Sequence, residues 1–442
     1  MAPILAPCGL ADPLVSFDER VVLDTGGQGR LPCWLSPGLP MTNRTAGEGH
    51  SRRTRLKLDP VERRASVTLA LLFAARMLGL FLLTPVFAVA ALSIPGGHDA
   101  TKVGLALGAY GLTQAILQVP LGVASDRYGR RPIIVIGLLL FIAGGVICAL
   151  APDIDWIIAG RVVQGLGAVS AAITAWVADA TRPEVRTRAM AMVGGSIGIS
   201  FAVSLVLSPL LVGAFGLSGL FWAISLLGFV CLLIATFVVP VVPAGKATIV
   251  QARARDVLRH GDLLRLNFGV YCLHFTLMSI FMVAPGLLQH LGGYTESHLW
   301  EVYLPVILLS FVLMVPAVFY TETRHAHRLA LQASVAGLVV VLGLLPLASH
   351  GFYTLVVLMV GFFIAFNILE ALQPSLVSRV APPEFKGLAL GFYNTAQALG
   401  VFSGGLVGGV LAQHAGTSEV FLVAAALVFA WFLVARGFRH GG

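Results

Sequence analysis

The chain has 442 residues, of which 57% are hydrophobic and 11% are charged, and its mean hydropathy is +0.89. Because a soluble domain carries about 25% charged residues, this composition excludes an ordinary soluble protein and predicts that lipid surrounds most of the chain. The formal net charge of +8 comes largely from arginines in the loops between apolar segments, so we expect no nucleic-acid partner.

Residues 1–64 precede the first apolar segment and are rich in Gly, Pro and Arg. Such a segment buries little apolar surface and is predicted to be a disordered cytoplasmic tail. It lacks the basic start and apolar core of a signal peptide, and Met41 is an alternative start that would remove residues 1–40. The cysteines are far apart and predict neither a disulfide nor a metal site: Cys8, Cys33, Cys148, Cys231 and Cys272.

Twelve apolar segments are long enough to cross a membrane, since about 20 helical residues span roughly 30 Å of hydrocarbon. They are residues 66–92, 103–125, 132–151, 155–178, 187–213, 216–239, 266–290, 299–320, 329–348, 351–377, 386–413 and 418–437. Arginines and lysines cluster in alternate loops, whereas the opposite loops contain only Lys102. Basic residues in short loops stay cytoplasmic, which predicts an all-α membrane protein with both termini in the cytoplasm.

The two halves of the chain repeat at an offset of 200 residues. The motif Pro183, Glu184, Arg186 and Ala189 returns as Pro383, Glu384, Lys386 and Ala389. Transporters whose halves rock about a central site are built from such repeats, although two cytoplasmic loops can also be similar by chance. We predict a six-helix bundle over 65–239, a cytoplasmic loop over 240–265 and a second bundle over 266–438. Within that loop, residues 249–259 predict either an amphipathic helix or a solvated linker.

The loop between the second and third spans is short and highly charged. It contains Gly122, Asp126, Arg127, Gly129, Arg130 and Arg131. This spacing resembles the loop signature of the major facilitator superfamily, and residues 58–440 are similar to its bacterial inner-membrane drug:proton antiporters with twelve spans. Members of that subgroup often bear an extra C-terminal soluble domain, which we do not expect here. The resemblance implies two pseudo-symmetric six-helix bundles in a bacterial inner membrane.

The resemblance also implies that this loop is a gate. Asp126 would face the start of the eleventh span near Lys386, where a carboxylate is favourable at a helix N-terminus, and Arg130 would pair with Asp179. Such a latch would hold the outward-open state. The alternative is that the arginines only anchor the topology.

The fourth and fifth spans carry two further motifs of the family. Arg161, Gln164, Gly165 and Gly167 match a buried Arg followed by Gln and Gly, which implies a role in proton coupling or substrate binding. An interior arginine needs a wet cavity or a partner, unless it snorkels to the surface. A weakened antiporter signature predicts a kinkable, closely packed helix: Gly195, Ser204, Ser208, Pro209 and Gly213, with Val212 in place of a glycine.

Glu370 is the acidic residue predicted to lie well inside a span. Burial favours the neutral acid over the carboxylate, so we predict that Glu370 carries protons, with Arg76 of the first span as a possible partner. The alternative is a structural ion pair. His274 in the seventh span titrates near neutral pH and is a second candidate for proton coupling, unless it is only a packed histidine.

Polar and aromatic side chains near the middle of the spans are predicted to line a substrate cavity: Tyr110, Gln114, Gln118, Gln164, Phe366, Asn367, Tyr393, Asn394 and Gln397. Apolar walls with few polar anchors suit a small amphipathic substrate. The alternative is that the amides bond neighbouring helices. Gly404, Gly405, Gly408 and Gly409 predict helix packing alone.

The sequence therefore predicts proton-coupled efflux of small amphipathic molecules by a monomer. The proton gradient would be the energy source without a cofactor, since no phosphate-binding loop is found. A symporter or facilitator for a sugar or an organic acid is an alternative within the same fold. A membrane sensor or scaffold that does not transport is an alternative of another class, whereas no catalytic constellation suggests an enzyme.

Overall fold

A computed structural model describes residues 58–167, 169–240, 254–382 and 386–438. All secondary structure in these ranges is helical. The helices are α1 (Pro60–Phe81), α2 (Phe87–Ala90), α3 (Ala100–Tyr128), α4 (Arg130–Ala149), α5 (Ile154–Leu166), α6 (Ser170–Asp179), α7 (Pro183–Leu233), α8 (Ala254–Leu258), α9 (Gly261–Gly292), α10 (Trp300–Thr323), α11 (His327–Leu344), α12 (Phe352–Val380), α13 (Lys386–His414) and α14 (Thr417–Arg436). Most of the predicted tail, residues 249–253 of the predicted central-loop helix, and Pro383 with Glu384 of the repeat lie outside the described residues.

Local sequence signals explain where several helices begin. Asp59 precedes α1, and its backbone N–H donates to Glu62 Oε2 at 2.9 Å, which together with Pro60 forms a typical helix start. Asp99 caps α3 by accepting from the backbone N–H groups of Thr101 and Lys102. α1 and α9 each begin a few residues before the predicted bundle boundaries.

Eleven helical segments in the described ranges are long and apolar enough to cross a membrane, and α5 and α6 together count as one of them. The difference from the twelve predicted spans lies in α7, which contains the fifth and sixth spans. Gly216 interrupts α7 with φ 67° and ψ −173°, a conformation that glycine adopts without steric cost. The chain reverses there without a loop, so the structure agrees with twelve crossings once α7 is divided at Gly216.

The fourth span is not the continuous helix that the sequence predicts. α5 ends at Leu166 and α6 begins at Ser170, with Gly167 between them at φ −78° and ψ 39°. A Cβ on Gly167 would lie 2.3 Å from the carbonyl oxygen of Gly137, so only glycine allows α4 to approach this closely. The break leaves the Gly167 carbonyl free to accept a hydrogen bond from another helix. The first span is also divided, at residues 82–86.

Two helices from different bundles touch through their backbones. We call the end of the molecule where α3 begins and α13 ends the arginine-poor end, and the opposite end the arginine-rich end. A Cβ on Gly104 would lie 2.2 Å from the Gly405 carbonyl oxygen, and one on Gly108 would lie 2.5 Å from that of Phe402. At the same end, the Ala100 N–H donates to Gln413 Oε1 at 2.7 Å. These contacts close the arginine-poor end.

The opposite end of α13 has different surroundings. A Cβ added to Gly387 or Gly391 would find no described neighbour within 4 Å, and the same holds for Gly194, Gly195 and Gly198 in α7. The side chain of Asp126 at the end of α3 is 61% exposed. At these positions near the arginine-rich end, α7 and α13 therefore lack the close contacts with described residues that α3 and α13 make at the other end.

Candidate functional site

Two arginines are buried inside the first bundle without an ion-pair partner among the described residues. Arg76 of α1 is 1% exposed. It donates to Ser170 Oγ and Tyr110 Oη, both at 2.6 Å, and to the Gly167 carbonyl at 3.3 Å. The broken fourth span thus supplies two of the three groups that accept hydrogen bonds from Arg76. The expected pair between Arg76 and Glu370 is not formed, because these acceptors hold the guanidinium within its own bundle.

Arg161 of α5 lies on the other side of Tyr110. Its guanidinium carbon is 4.9 Å from the centre of the Tyr110 ring, close enough for a cation–π interaction. Arg161 also donates to Gln164 Oε1 at 2.9 Å and to the Ala106 carbonyl at 3.3 Å. With 2% exposure, Arg161 does not reach the membrane surface by snorkelling. Tyr110 therefore contacts both arginines, one through its hydroxyl and one through its ring.

The second bundle brings His274 of α9 and Glu370 of α12 together. His274 Nε2 lies 3.7 Å from Glu370 Oε2, and Gln397 Nε2 of α13 lies 2.7 Å from the same ring nitrogen. Phe366 packs its ring edge-to-face against the imidazole, with the ring centres 6.0 Å apart. Glu370 is 22% exposed. His274, rather than Arg76, is thus the basic side chain that Glu370 approaches.

The remaining predicted cavity residues divide into two groups. Asn367 donates to Ser310 Oγ at 3.2 Å and so bonds a neighbouring helix, as the alternative interpretation proposed for the amides. Both amide atoms of Gln118 and the hydroxyl of Tyr393 are buried without a hydrogen-bond partner. Since buried polar groups are normally paired, these atoms keep their bonding capacity for water or a polar group of a substrate. Gln114 is buried, and Asn394 is partly buried.

An aromatic cluster, of which the sequence analysis named only Phe366, joins the two bundles. Phe201 of α7 lies 6.4 Å from Phe281 and 6.0 Å from both Phe363 and Phe366, measured between ring centres. These distances are typical of favourable aromatic pairs. Nothing distinguished the other three among the 26 phenylalanines of the chain, because only the packing of α7 against α9 and α12 brings them together.

The charged loop after α3 is held by contacts within its own bundle. Arg130 pairs with Asp126 and, at 2.8 Å, with Asp179 at the end of α6, so the expected contact between Arg130 and Asp179 is present. Gly129 has φ 96°, which explains the glycine at this turn. Arg131 donates to the Ala235 carbonyl beyond α7 at 3.0 Å.

Other members of the loop make weaker contacts. Arg127 lies over the Tyr128 ring, and a Cβ on Gly122 would only touch Ala171. In this state Asp126 contacts Arg130 and not α13, so the latch stays a prediction.

The predicted packing positions of the fourth and fifth spans differ in their contacts. A Cβ on Gly165 would lie 2.4 Å from the Tyr110 carbonyl oxygen, and one on Gly213 would lie 2.3 Å from Ser297 Cβ. Ser208 donates to the Leu82 carbonyl of the first span, whereas Ser204 bonds only its own helix, within which Pro209 also lies. A Cβ on Gly195 would find no described atom within 4 Å, so close packing at this position stays a prediction.

A second charged cluster, which the sequence analysis did not predict, lies in the second bundle. Arg379 at the end of α12 donates to both carboxylate oxygens of Glu322 at 3.1 and 3.2 Å, and His327 Nε2 lies 3.4 Å from that carboxylate. The cluster joins the ends of α10 and α12 to the start of α11. It occupies the position in the second bundle that Arg130, Asp126 and Asp179 occupy in the first.

The chain is similar to known proteins of one transporter family. The family model described as Major Facilitator Superfamily matches residues 69–402 and 308–440. The inner membrane transport protein YajR of Escherichia coli (strain K12) is 42% identical over 388 residues, which cover 87% of this chain and 85% of that protein. The multidrug resistance protein MdtH of Aeromonas salmonicida (strain A449) is 30% identical over 349 residues, covering 77% of this chain and 85% of MdtH.

A solved structure of a bacterial homologue of the human lysosomal transporter Spinster, in an inward-facing and occupied conformation, has a TM-score of 0.68 at 14% identity. The match covers 86% of this chain and 98% of the Spinster homologue. At this identity the likeness concerns the fold alone. Taken with the two bundles and the family match across most of the sequence, it shows that the chain is a multi-pass membrane transporter of the Major Facilitator Superfamily.

Proposed function

We propose that this transporter exports small amphipathic molecules across a bacterial inner membrane in exchange for protons. The observation that carries the proposal is the position of Glu370, a carboxyl group in the interior of the second bundle beside a titratable imidazole. The names of two relatives, an inner membrane transport protein and a multidrug resistance protein, support the location and the substrate class.

Glu370 has the surroundings that a proton carrier needs. Its Oε2 atom is buried and has no hydrogen-bond partner among the described residues. The side chain nevertheless keeps 22% exposure. It lies nine residues before Arg379, about 13 Å from the arginine-rich end at 1.5 Å per residue. A cleft between the bundles would open at that end, where glycines of α7 and α13 have no described neighbours. Protons would therefore exchange between Glu370 and water on that side.

The walls of the cleft suit an amphipathic substrate. Where the bundles meet, Phe201, Phe363 and Phe366 form a buried aromatic cluster, which a substrate would contact once the bundles separate, whereas Gln118 and Tyr393 provide buried polar atoms without partners. An apolar site with a few polar anchors binds molecules of mixed polarity better than sugars, which need many convergent hydrogen bonds. This composition supports export of amphipathic compounds over sugar transport.

The direction of the cycle follows from the arginines in the loops. If the arginine-rich end is cytoplasmic, the described state is open to the cytoplasm and closed to the opposite side. Substrate would enter this state as Glu370 releases a proton, and the bundles would then rock to open the arginine-poor end. The Asp126 latch would stabilise the second state. The proton gradient supplies the energy, and the cycle requires no cofactor.

Inside-out vesicles with an acidified lumen test the proposal. Amphipathic cations, sugars and organic acids are added in turn, and collapse of the proton gradient is followed with a fluorescent amine. We expect collapse by amphipathic compounds in the wild type but not in Glu370→Gln. The matched control is Glu301→Gln, which removes a carboxylate from an exposed position at the arginine-poor end and should behave like the wild type.

A second assay separates proton coupling from substrate binding. Exchange of labelled for unlabelled substrate without a proton gradient should persist in Glu370→Gln, because that exchange needs no net proton movement. Proton-driven transport that survives in Glu370→Gln would refute the role of Glu370. A response to sugars alone would replace the efflux function with the symporter.

A further inference from the structure

The two ring nitrogens of His274 have different bonding partners. Nδ1 lies 3.1 Å from the Val270 carbonyl oxygen one turn earlier in α9. A carbonyl only accepts hydrogen bonds, so Nδ1 carries the hydrogen. Nε2 lies 2.7 Å from Nε2 of Gln397, and an amide nitrogen only donates. Nε2 therefore accepts with its lone pair, and the imidazole is neutral in this arrangement.

Glu370 approaches the same nitrogen but does not bond to it. The 3.7 Å between Glu370 Oε2 and His274 Nε2 exceeds hydrogen-bond distance. Tyr393 lies one turn before Gln397 in α13, and its hydroxyl is buried without a hydrogen-bond partner among the described residues. No lysine or arginine of the described residues forms an ion pair with Glu370 or His274. Gln397 and Glu370 thus compete for one lone pair.

Gln397 belongs to the helix that closes the arginine-poor end. The next residue is Ala398. A Cβ on Gly111 of α3 would lie only 2.6 Å from the Ala398 carbonyl oxygen. About one turn after Gln397, a Cβ on Gly400 would lie similarly close to the Tyr271 carbonyl oxygen of α9. Contact between α3 and α13 therefore fixes α13 at the level of Gln397, next to the histidine.

We propose that Gln397 is a positioning residue that couples the gate to the proton site. While α3 and α13 are in contact, the Gln397 amide occupies the lone pair of His274 Nε2, so that Glu370 alone can hold a proton and gives it up to water. When the arginine-poor end opens, α13 loses its support from Gly111 and Gln397 leaves the ring. A proton from water on that side then forms a His274 Nε2–H bond, giving an imidazolium beside the Glu370 carboxylate. When the end closes again, that N–H bond breaks and the proton passes to Glu370.

This arrangement gives the pair a higher proton affinity when the arginine-poor end is open. By reciprocity, acid then favours that open state, and the proton is released when the end closes. This direction of the pH effect agrees with uptake of protons from outside and their release into the cytoplasm. The inference rests on the proposed function, but its test needs no substrate.

The test follows the gate as a function of pH. Spin labels on Leu150→Cys and Ala415→Cys, exposed positions at the arginine-poor end of each bundle, report the distance between bundles by pulsed electron paramagnetic resonance. The five native cysteines are first replaced by alanine. Between pH 8 and pH 5.5 we expect the ratio of open to closed molecules to rise by up to about tenfold, the ratio that corresponds to one neutral hydrogen bond.

Substitutions at Gln397 then isolate its role. Gln397→Met removes the donor at similar length and should abolish most of the pH dependence, whereas Gln397→Glu stabilises the imidazolium in the closed state and should reverse its sign. His274→Asn should make the ratio independent of pH with or without Gln397→Met. The control Gln332→Met alters an amide that bonds Ala435 at the far side of the second bundle and should leave the response unchanged.

Three outcomes would overturn the inference. One is a wild-type ratio that does not vary with pH. Another is an unchanged response in Gln397→Met, as expected if the amide simply turns to offer its oxygen to a protonated ring. The third is an effect of Gln397→Met that persists in His274→Asn. The vesicle assay with Glu370→Gln tests proton coupling separately. The role of Gln397 can therefore be refuted while proton coupling stands, and the reverse.

Discussion

Gly104→Ala should open the arginine-poor end of the transporter. The added Cβ would lie 2.2 Å from the Gly405 carbonyl oxygen and 2.9 Å from the Gly409 Cα. Both partners are backbone atoms in a helix, so neither can turn away, and the nearer contact is about 1 Å too short for van der Waals packing. The closed state must either separate α3 from α13 or tolerate the overlap.

The size of the effect follows from the cost of overpacking. One methyl group forced into a well-packed contact typically costs about 1–3 kcal/mol. The overlap exists only while α3 and α13 touch, so the whole cost falls on the closed state. The ratio of open to closed molecules should therefore rise by about 5- to 150-fold.

The assay is the spin-label distance between positions 150 and 415 at constant pH. Gly391→Ala is the matched control, because it places the same methyl group in α13 where no described atom lies within 4 Å. It also accounts for the gain in helix propensity, which is about 1 kcal/mol for either change. A longer distance is expected only in Gly104→Ala. Equal distance distributions in the two variants would refute the argument that backbone contact closes this end.

Three further predictions concern stability and the latch. Tyr110→Phe removes an acceptor 2.6 Å from the buried Arg76 and should cost about 1.5–3 kcal/mol, seen as a lower Tm in detergent, while Tyr320→Phe at an exposed position should not change the Tm. Gly129→Ala places a side chain at φ 96° and should cost about 1–2 kcal/mol in the same measurement; an unchanged Tm would mean that the turn adjusts without strain. Asp126→Asn should shorten the mean spin-label distance between positions 150 and 415, because the latch no longer favours the state open at the arginine-poor end; an unchanged distance would contradict the latch.

The crossing segments were predictable because each is a local property of the sequence. Hydropathy over about 20 residues located the spans, and the division of α7 at Gly216 agrees with the predicted boundary between the fifth and sixth. The break at Gly167 was not predictable in this way. A glycine within an apolar run is compatible with a continuous helix, and the contacts with Arg76 and Gly137 come from distant parts of the chain.

The candidate site shows the same division between local and distant information. Glu370 and His274 were found separately because titratable residues are rare within spans. Their proximity depends on how α9 packs against α12, which no spacing in the sequence encodes. Arg76 was assigned to Glu370 because both are charged residues of predicted spans, whereas neutral acceptors in its own bundle bond both of its terminal amino groups.

The glycine contacts between α3 and α13 also determine how the gate responds to temperature. A surface of carbonyl oxygens and Cα atoms buries little hydrocarbon, so its separation changes the heat capacity far less than the opening of an interface of leucines or phenylalanines would. The attraction across such a surface comes mainly from dispersion and from weak Cα–H···O contacts. The balance between the two states should consequently follow a nearly straight van't Hoff line, which allows the gate to work similarly over a wide range of growth temperatures.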